Sequence, residues 1–429
     1  MSAPHELNSK KIRFVDLFCG IGGFHQALKP WNTECVFACD IDADCRKVYY
    51  RNYGLEPAGD ITKIKVEQIP PFDVLCAGYP CVAFSKAGAQ MGFDDPTGRG
   101  QLFFDIIRIA AHHRPEYMLL ENVRNLVSHD DGRTWQIMHH HIVHGLGYHT
   151  YETPIILNTL HFGVPQNRER VIIMCKRRDL GVLPPPPVIS KNPKLGLPAN
   201  ALLQLMEPAA AAANAATTSI SAKLEAASAI WDEFLVLVRA HVAAGEIPKF
   251  PLWTDWWDTL PGTTEMEKKY ETWIQKNRTF YQTNRVIFDP WLQTARCNDL
   301  WTGAMRKFEW QAGDLLPTDG MNTLLWTTRS SGIRVKRPDY VPTLVAMTSM
   351  VPVIGGRHLS PREMLRLQSF PEDFIPYDAA AAAADACAVP PTRKQLTMIT
   401  KQTGNAVNVK MIEACFRFLI LGDIAALNV

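Results

Sequence analysis

From Arg13 to about Arg178 short apolar runs alternate with amphipathic stretches: IRFVDLF, ECVFACD, DVLCAG and EYMLLENV come first, and VIIMCKRR closes the series. Buried, β-rich runs separated by helix-period stretches predict a parallel α/β sheet, with ligands at the carboxyl ends of its strands. The proline run LGVLPPPPV follows. It fits neither a central strand nor a helix interior, so it marks a linker and makes residues 1–183 the first part of a sheet domain. Residues 184–340 differ in character, with an alanine-rich stretch at Ala209 to Ala216, a predicted helix from Ala222 to Val242 and a tryptophan cluster at Trp253, Trp256 and Trp257. The tryptophans are expected in the core, since a small ordered domain needs large apolar anchors. From about Tyr340 the α/β pattern returns with PTLVAM, a helical PREMLRLQSF and a last helix near Lys410 to Leu421. Residues 341–429 are therefore expected to rejoin the first domain, giving an α/β sheet domain interrupted by a smaller inserted one. A second alanine run, Ala379 to Ala384, suggests no function.

Composition narrows the function classes only a little. A chain of 429 residues that is 47% hydrophobic and 21% charged is long enough for more than one buried core. No apolar run approaches the roughly 20 residues that a membrane span requires, and the opening MSAPHELNSKKIRFVDLF lacks the apolar region of a secretory leader. An intracellular protein without a membrane partner is expected. Ten cysteines without a CxxC pair point to reduced thiols rather than a disulfide framework or a metal site. A net charge of +2 is too small to announce a nucleic-acid protein.

In IRFVDLFCGIGGFHQAL a buried strand runs into a turn with Gly20, Gly22 and Gly23 and then into a helix. Such a turn admits a ligand close to the backbone, and the helix start adds donors. The spacing is not GxGxxG, so a pyrophosphate and an adenosine-type ligand bearing a carboxylate both remain open, and a nicotinamide enzyme with them. Asp40 ends the next apolar run, where an acidic side chain can bond ribose hydroxyls, and Asp60 follows in GDI.

In DVLCAGYPCVAFSKAG the strand runs into Tyr79-Pro80-Cys81, which presents a thiol at the carboxyl edge of the sheet. Cysteine is also among the most buried residue types, so position alone leaves nucleophile and structural thiol both open. EYMLLENV places Glu121 and Asn122 at the same edge, and QNRERVIIM puts Arg168 and Arg170 two apart, on one face of an extended segment. The stretch TTRSSGIRVKRPDY gathers Arg329, Arg334, Lys336 and Arg337 with few acids, a strip suited to phosphates and base edges or simply a solvated loop.

Taken together, DLFCGIGG, PCVAFS, ENV, QNRER, RHLSPREMLRLQSFP and GNAV resemble the cytosine C5 DNA methyltransferase family, in its order and approximate spacing. The similarity covers about 12 to 178 and 325 to 420; the middle corresponds to the family's variable target-recognition region. The resemblance implies a Rossmann-like methyltransferase fold, S-adenosyl-L-methionine as cofactor with S-adenosyl-L-homocysteine as product, and double-stranded DNA as partner of a monomer, in the manner of restriction-modification enzymes. It implies that Cys81 attacks C6 of a flipped-out cytosine, that Glu121 contacts N3 and the exocyclic amine, and that Arg168 holds O2 and lowers the Cys81 pKa, with Arg170 and Asn122 supporting. On the cofactor side it assigns Phe18, Gly20 and Gly23 to the methionine end, Asp40 and Ile41 to ribose and adenine, Asp60 and Ile61 to the adenine edge, and Pro80, Asn405 and Val407 to closing the pocket. The segment from Ser85 to Arg99 is expected to be a mobile loop over the DNA. Val82 stands where the family usually has Gln, so the filling of the gap left by the flipped base must differ. A tRNA-modifying branch shares these motifs, but the long variable insertion favours duplex DNA; an inactive regulatory homologue is expected to have lost the Cys, Glu or glycine-turn residues, all present here.

Overall fold

Four parallel strands carry the first sheet: β1 (Ile12–Leu17), β2 (Thr33–Cys39), β3 (Val74–Gly78) and β4 (Tyr117–Val123), in the order β2-β1-β3-β4. The computed structural model describes residues 10–79, 101–194, 197–198, 200–207, 218–242, 247–258, 265–377 and 392–429. Helices α1 (Gly23–Leu28) and α2 (Ala43–Tyr53) flank β2 along the chain, and α3 (Leu102–His113) precedes β4. The inner strands read as unbroken apolar runs because both faces are covered: Leu17, Leu75, Leu120 and Val171 are at most 1% exposed and share one core with Phe103 and Ile106 of α3. Each such side chain contributes about 1.5–3 kcal/mol by leaving water.

Beyond β4 the sheet departs from the all-parallel expectation. Short strands β5 (Tyr148–His149) and β6 (Ile155–Asn158) and the long β7 (Glu169–Arg177) extend it, and β7 runs antiparallel to β4, β5 and β6, pairing Tyr117 with Lys176 and Val123 with Arg170. The cause is the connection. Only a 3-10 turn at Thr159–Phe162 and a short extended segment separate β6 from β7, too little for the crossover that parallel neighbours need.

The chain divides into two compact units, one made of Met1–Ala201, Met364–Val389 and Met398–Val429, the other of Leu202–Glu363 and Pro390–Thr397. These limits differ from the 183/184 and 340/341 boundaries read from composition. The proline run stays with the first unit, where Tyr151 Oη donates to the Pro184 carbonyl at 2.8 Å and the Ser190 carbonyl lies 3.1 Å from His161 Nε2.

The second unit has its own six-stranded sheet, built from β8 (Leu252–Trp253), β9 (Lys307–Trp310), β10 (Leu325–Arg329), β11 (Gly332–Lys336), β12 (Val353–Ile354) and β13 (Arg357–His358), ordered β13-β12-β10-β11-β9-β8. Because β12 pairs with β10 and β13 with β12, the unit runs past residue 340. Helix α4 (Ala222–His241) is held at its start by Ser221, whose side chain accepts from Leu224 N, and its Trp231 packs with Phe308, Trp291 and Trp301. It is thus Trp231 and Trp257, both at most 1% exposed, that anchor this core. Trp253 and Trp256 do not share that burial: they form a half-exposed aromatic cluster with Tyr270 and Trp273, with Lys307 Nζ 4.2 Å from the Trp253 ring centre. The chain then returns to the first unit through Pro361–Leu367, Arg393–Asn405 and a last helix at Val409–Ile420, capped by Asn408.

Candidate active site

The register of the first sheet sets one level at its carboxyl edge: Leu17 pairs with Cys39 and with Ala77, and Gly78 pairs with Glu121. The glycine turn, Asp40 and Glu121 therefore all leave the sheet at that edge, where partial charges of strand ends and helix starts are uncovered.

Gly20 (φ 53°) and Gly22 (φ 87°) take left-handed backbone, and so does Phe18 (φ 57°), a strained conformation for a side-chain-bearing residue. Gly20 N–H donates to Asp40 at 2.8 Å, and the other Asp40 oxygen accepts from Asp42 N at 2.8 Å. Burial pushes the Asp40 carboxyl up, and the two backbone donors oppose that. Beside it Ile41 leaves its side chain 75% exposed. A Cβ on Gly22 would lie 2.2 Å from the Tyr53 ring, and one on Gly23 would lie 2.5 Å from Val407 Cγ2 and 2.9 Å from the Val407 carbonyl oxygen. The expected GNAV tail is thus packed against the glycine turn. Gly23→Ala is expected to cost about 1–3 kcal/mol by overpacking, measured by denaturant unfolding; Gly23→Ala/Val407→Ala recovers part of it, since the carbonyl clash remains. A Gly23→Ala variant as stable as the parent would contradict this close approach.

Asp60 and Ile61 lie further along the edge but their side chains have other partners. Asp60 caps a 3-10 turn through Thr62 N and Oγ1, bonds that hold its carboxyl below the usual range, and Ile61 is 4% exposed within the main core. Pro80, Cys81, Val82, Ser85 and Arg99 lie outside the described residues, as do both alanine runs. Strand β3, which ends three residues before Cys81, finishes level with Glu121.

Glu121 is 7% exposed, and its Oε1 lies 2.7 Å from Arg170 Nε in an ion pair whose side chains are 9% and 11% exposed. Asn122 is buried, with its amide nitrogen 3.4 Å from the Tyr79 carbonyl and its oxygen accepting from Val123 N. Arg168 goes elsewhere. It is 1% exposed and donates from Nη2 to the carbonyls of Gly404 at 3.1 Å and Ala406 at 2.7 Å. Of the two arginines of QNRER, Arg170 meets the Glu121 carboxylate, and Arg168 bonds the backbone of the segment that carries Asn405 and Val407. Asn405 is exposed and Val407 buried.

Beneath the glycine turn lies a polar layer that sequence reasoning missed. Asp16 is fully buried beside the His25 backbone and the Tyr49 hydroxyl, with hydrogen-bond geometry to neither, and burial pushes its carboxyl well above the usual range. His25 Nδ1 lies 2.7 Å from Tyr49 Oη; burial lowers its pKa to about 4. Tyr53 stacks on His25 at 4.0 Å and donates to the Gly22 carbonyl at 2.9 Å. The only sequence signal for it is the i, i+4 pair Tyr49 and Tyr53 on α2.

In the second unit, three of the four basic residues of the strip are engaged internally: Arg334 with Glu309, Arg337 with Asp319, and Lys336 with its Nζ 3.3 Å from the Tyr340 ring centre.

A sheet whose four first strands run parallel, with a glycine turn after β1 and a carboxylate clasping that turn from the end of β2, defines the Rossmann-like class of α/β folds. Within it, the chain belongs to the C-5 cytosine-specific DNA methylase family, whose model matches residues 12–420. It is similar to the Type II methyltransferase M.HhaI of Haemophilus parahaemolyticus, 44% identical over 171 residues, 40% of this chain and 51% of that protein. Against M.HpaII of Haemophilus parainfluenzae it is 45% identical over 175 residues, 40% of this chain and 48% of that protein. These matches span only about half the length of the relatives. The Type II methyltransferase M.AluI of Cellulosimicrobium cellulans aligns along nearly the whole chain, 29% identical, covering 97% of this chain and 94% of that protein. The fold is similar to that of the Entamoeba histolytica methyltransferase EhMeth, with a TM-score of 0.50 at 13% identity, covering 96% of this chain and 99% of that one. Among the described residues no helix is long and apolar enough to cross a membrane, and no group of three or more His, Cys, Asp and Glu side chains could hold a metal ion.

Proposed function

We propose that the protein transfers a methyl group from S-adenosyl-L-methionine to C5 of a cytosine flipped out of double-stranded DNA, acting as a monomer, with the first unit as catalytic domain and the second as target-recognition domain. The observation that carries this reading is the buried Glu121–Arg170 pair, level with the end of the strand that leads to Cys81. Family membership supplies the reaction class.

The cofactor fits the residues at the edge. Each Asp40 oxygen accepts one backbone N–H and keeps a lone pair for a ribose hydroxyl, Ile41 offers an exposed apolar side chain to an adenine face, and Phe18, Gly20 and Gly23 border the place for the methionine end. Asp60 and Ile61 would meet the adenine edge, and Pro80, Asn405 and Val407 would close the pocket. Bound there, S-adenosyl-L-methionine supplies an electrophilic methyl group.

The chain's own residues prepare the base. Cys81 as thiolate adds to C6, and the ring's electron pair moves to C5, which becomes nucleophilic. Glu121 holds N3 and the exocyclic amine, stabilising the ring as the sulfur adds. Arg170, already at Glu121, is the better placed of the two arginines to hold the cytosine O2, while Arg168 positions the 404–407 segment; this exchanges the roles that the resemblance assigned them. Asn122 fixes the backbone of Tyr79 ahead of Cys81. Loss of the C5 proton to solvent and of the Cys81 sulfur restores the aromatic ring.

The test is incubation with S-adenosyl-L-methionine and duplex DNA carrying 5-fluorocytosine, whose C5 fluorine blocks the last elimination. A denaturation-resistant adduct formed by the parent protein and absent from Cys81→Ser is expected. An adduct on fluorinated RNA alone would move the substrate to RNA, and none on either would overturn the catalytic reading.

A further inference from the structure

Two guanidinium groups and one carboxylate share the face of the β10–β11 hairpin that turns away from the tryptophan core. Trp326, Ile333 and Val335 point into that core, so the alternate positions Thr327, Arg329 and Arg334 lie on the opposite face, with Thr327 paired to Arg334. Strand β9 runs beside β11 and sets Glu309 directly next to Arg334. Arg334 takes that carboxylate, with Nε and Nη2 each 2.8 Å from the same Glu309 oxygen. Arg329 is left over. Its charged neighbours are Arg334 and Glu309, and its Nε is shielded from solvent yet donates to no acceptor. A half-buried cation without an acceptor is costly, and burial together with Arg334 pulls its pKa down.

The support under Arg329 is rigid. It is the last residue of β10, pairs with Gly332 across the exposed Ser330-Ser331 turn, and a Cβ on Gly332 would lie 2.5 Å from Lys307 Cβ and 2.6 Å from its carbonyl oxygen. The hairpin tip is therefore pressed against β9. A planar fork of donors on a fixed stretch of backbone, with its Nε lacking an acceptor, suits the paired acceptors of a base edge better than a phosphate, which long exposed cations can reach in many geometries.

Resting on the proposed DNA methylation, we propose that Arg329 is the guanine-reading residue of the second unit, donating two N–H bonds to O6 and N7 of one guanine in the recognition sequence. Arg334, tied to Glu309, keeps that carboxylate from capturing Arg329 and so positions the reader.

The test is methylation of a random-sequence duplex library, read position by position, for the parent, Arg329→Ala, Arg329→Gln and Arg329→Lys. Each variant is checked for S-adenosyl-L-methionine binding to show that the first unit is folded. Preference for guanine at one position is expected to fall about 10- to 100-fold in all three, because neither Gln nor Lys reproduces the fork, while the other positions keep their preferences. Uniform loss at every sequence with a weaker salt dependence would make Arg329 a phosphate contact and overturn the proposal, and so would an unchanged profile. A parent protein that methylates no library member would remove the enzyme reading and this one with it, a failure distinct from one confined to the Arg329 variants.

Discussion

Glu121→Gln is expected to lower the turnover number by about 10²- to 10⁴-fold, with little change in affinity for S-adenosyl-L-methionine. The substitution keeps the size of the side chain and removes the acid that can hand N3 a proton as the Cys81 thiolate adds and negative charge builds on the cytosine ring. It also leaves Arg170 in a site where both side chains are about one-tenth exposed, without its 2.7 Å partner. Breaking a buried pair from one side can cost about 3–5 kcal/mol of stability, so a simple loss of activity could report unfolding. The double variant Glu121→Gln/Arg170→Met separates the two effects. Removing the stranded cation restores most of the stability measured by denaturant unfolding, while turnover stays low because neither the carboxylate nor the O2 donor is present. Turnover that recovers together with stability would make the pair a structural feature and remove Glu121 from the chemistry.

The strand ends were legible in the sequence because the inner strands are buried on both faces and end where polarity returns: DLF at the glycine turn, CAG before Cys81, ENV at Glu121. What the sequence hid were partners far along the chain. Arg168 and Arg170 look alike in QNRER, yet one bonds carbonyls at 404 and 406 and the other a carboxylate at 121; alternation within a strand says nothing of this. The basic strip misled for the same reason. Glu309 and Asp319, which engage Arg334 and Arg337, lie outside the TTRSSGIRVKRPDY run, so the local excess of charge exaggerated what is free to meet DNA. The antiparallel β7 was hidden by a connection whose shortness shows only once β6 is known to be a strand. The layer of Asp16, His25 and the two tyrosines escaped because a buried aspartate in an apolar run reads as a strand end, and only the fold reveals it as a fully buried acid under the turn.

Trp231→Ala is expected to destabilise the second unit by about 3–5 kcal/mol. The indole is fully buried, stacks on Phe308 at 4.5 Å, meets Phe234, Trp291 and Trp301 edge-on or tilted, and donates from Nε1 to the Met305 carbonyl at 2.8 Å. Alanine would remove all of these contacts at once and leave a carbonyl without its donor, in a cluster of rings too rigid to collapse around the gap. Trp273→Ala, at a position 40% exposed on the surface cluster, serves as the comparison and is expected to cost less than about 1 kcal/mol. Calorimetry and denaturant unfolding give the stability of each variant, and binding of S-adenosyl-L-methionine reports on the first unit. In the proposed division of labour Trp231→Ala loses DNA methylation while still binding the cofactor. A cost near 1 kcal/mol would show that the surrounding rings close the cavity, and cofactor binding lost in parallel would show that the catalytic sheet does not hold its fold without the second unit.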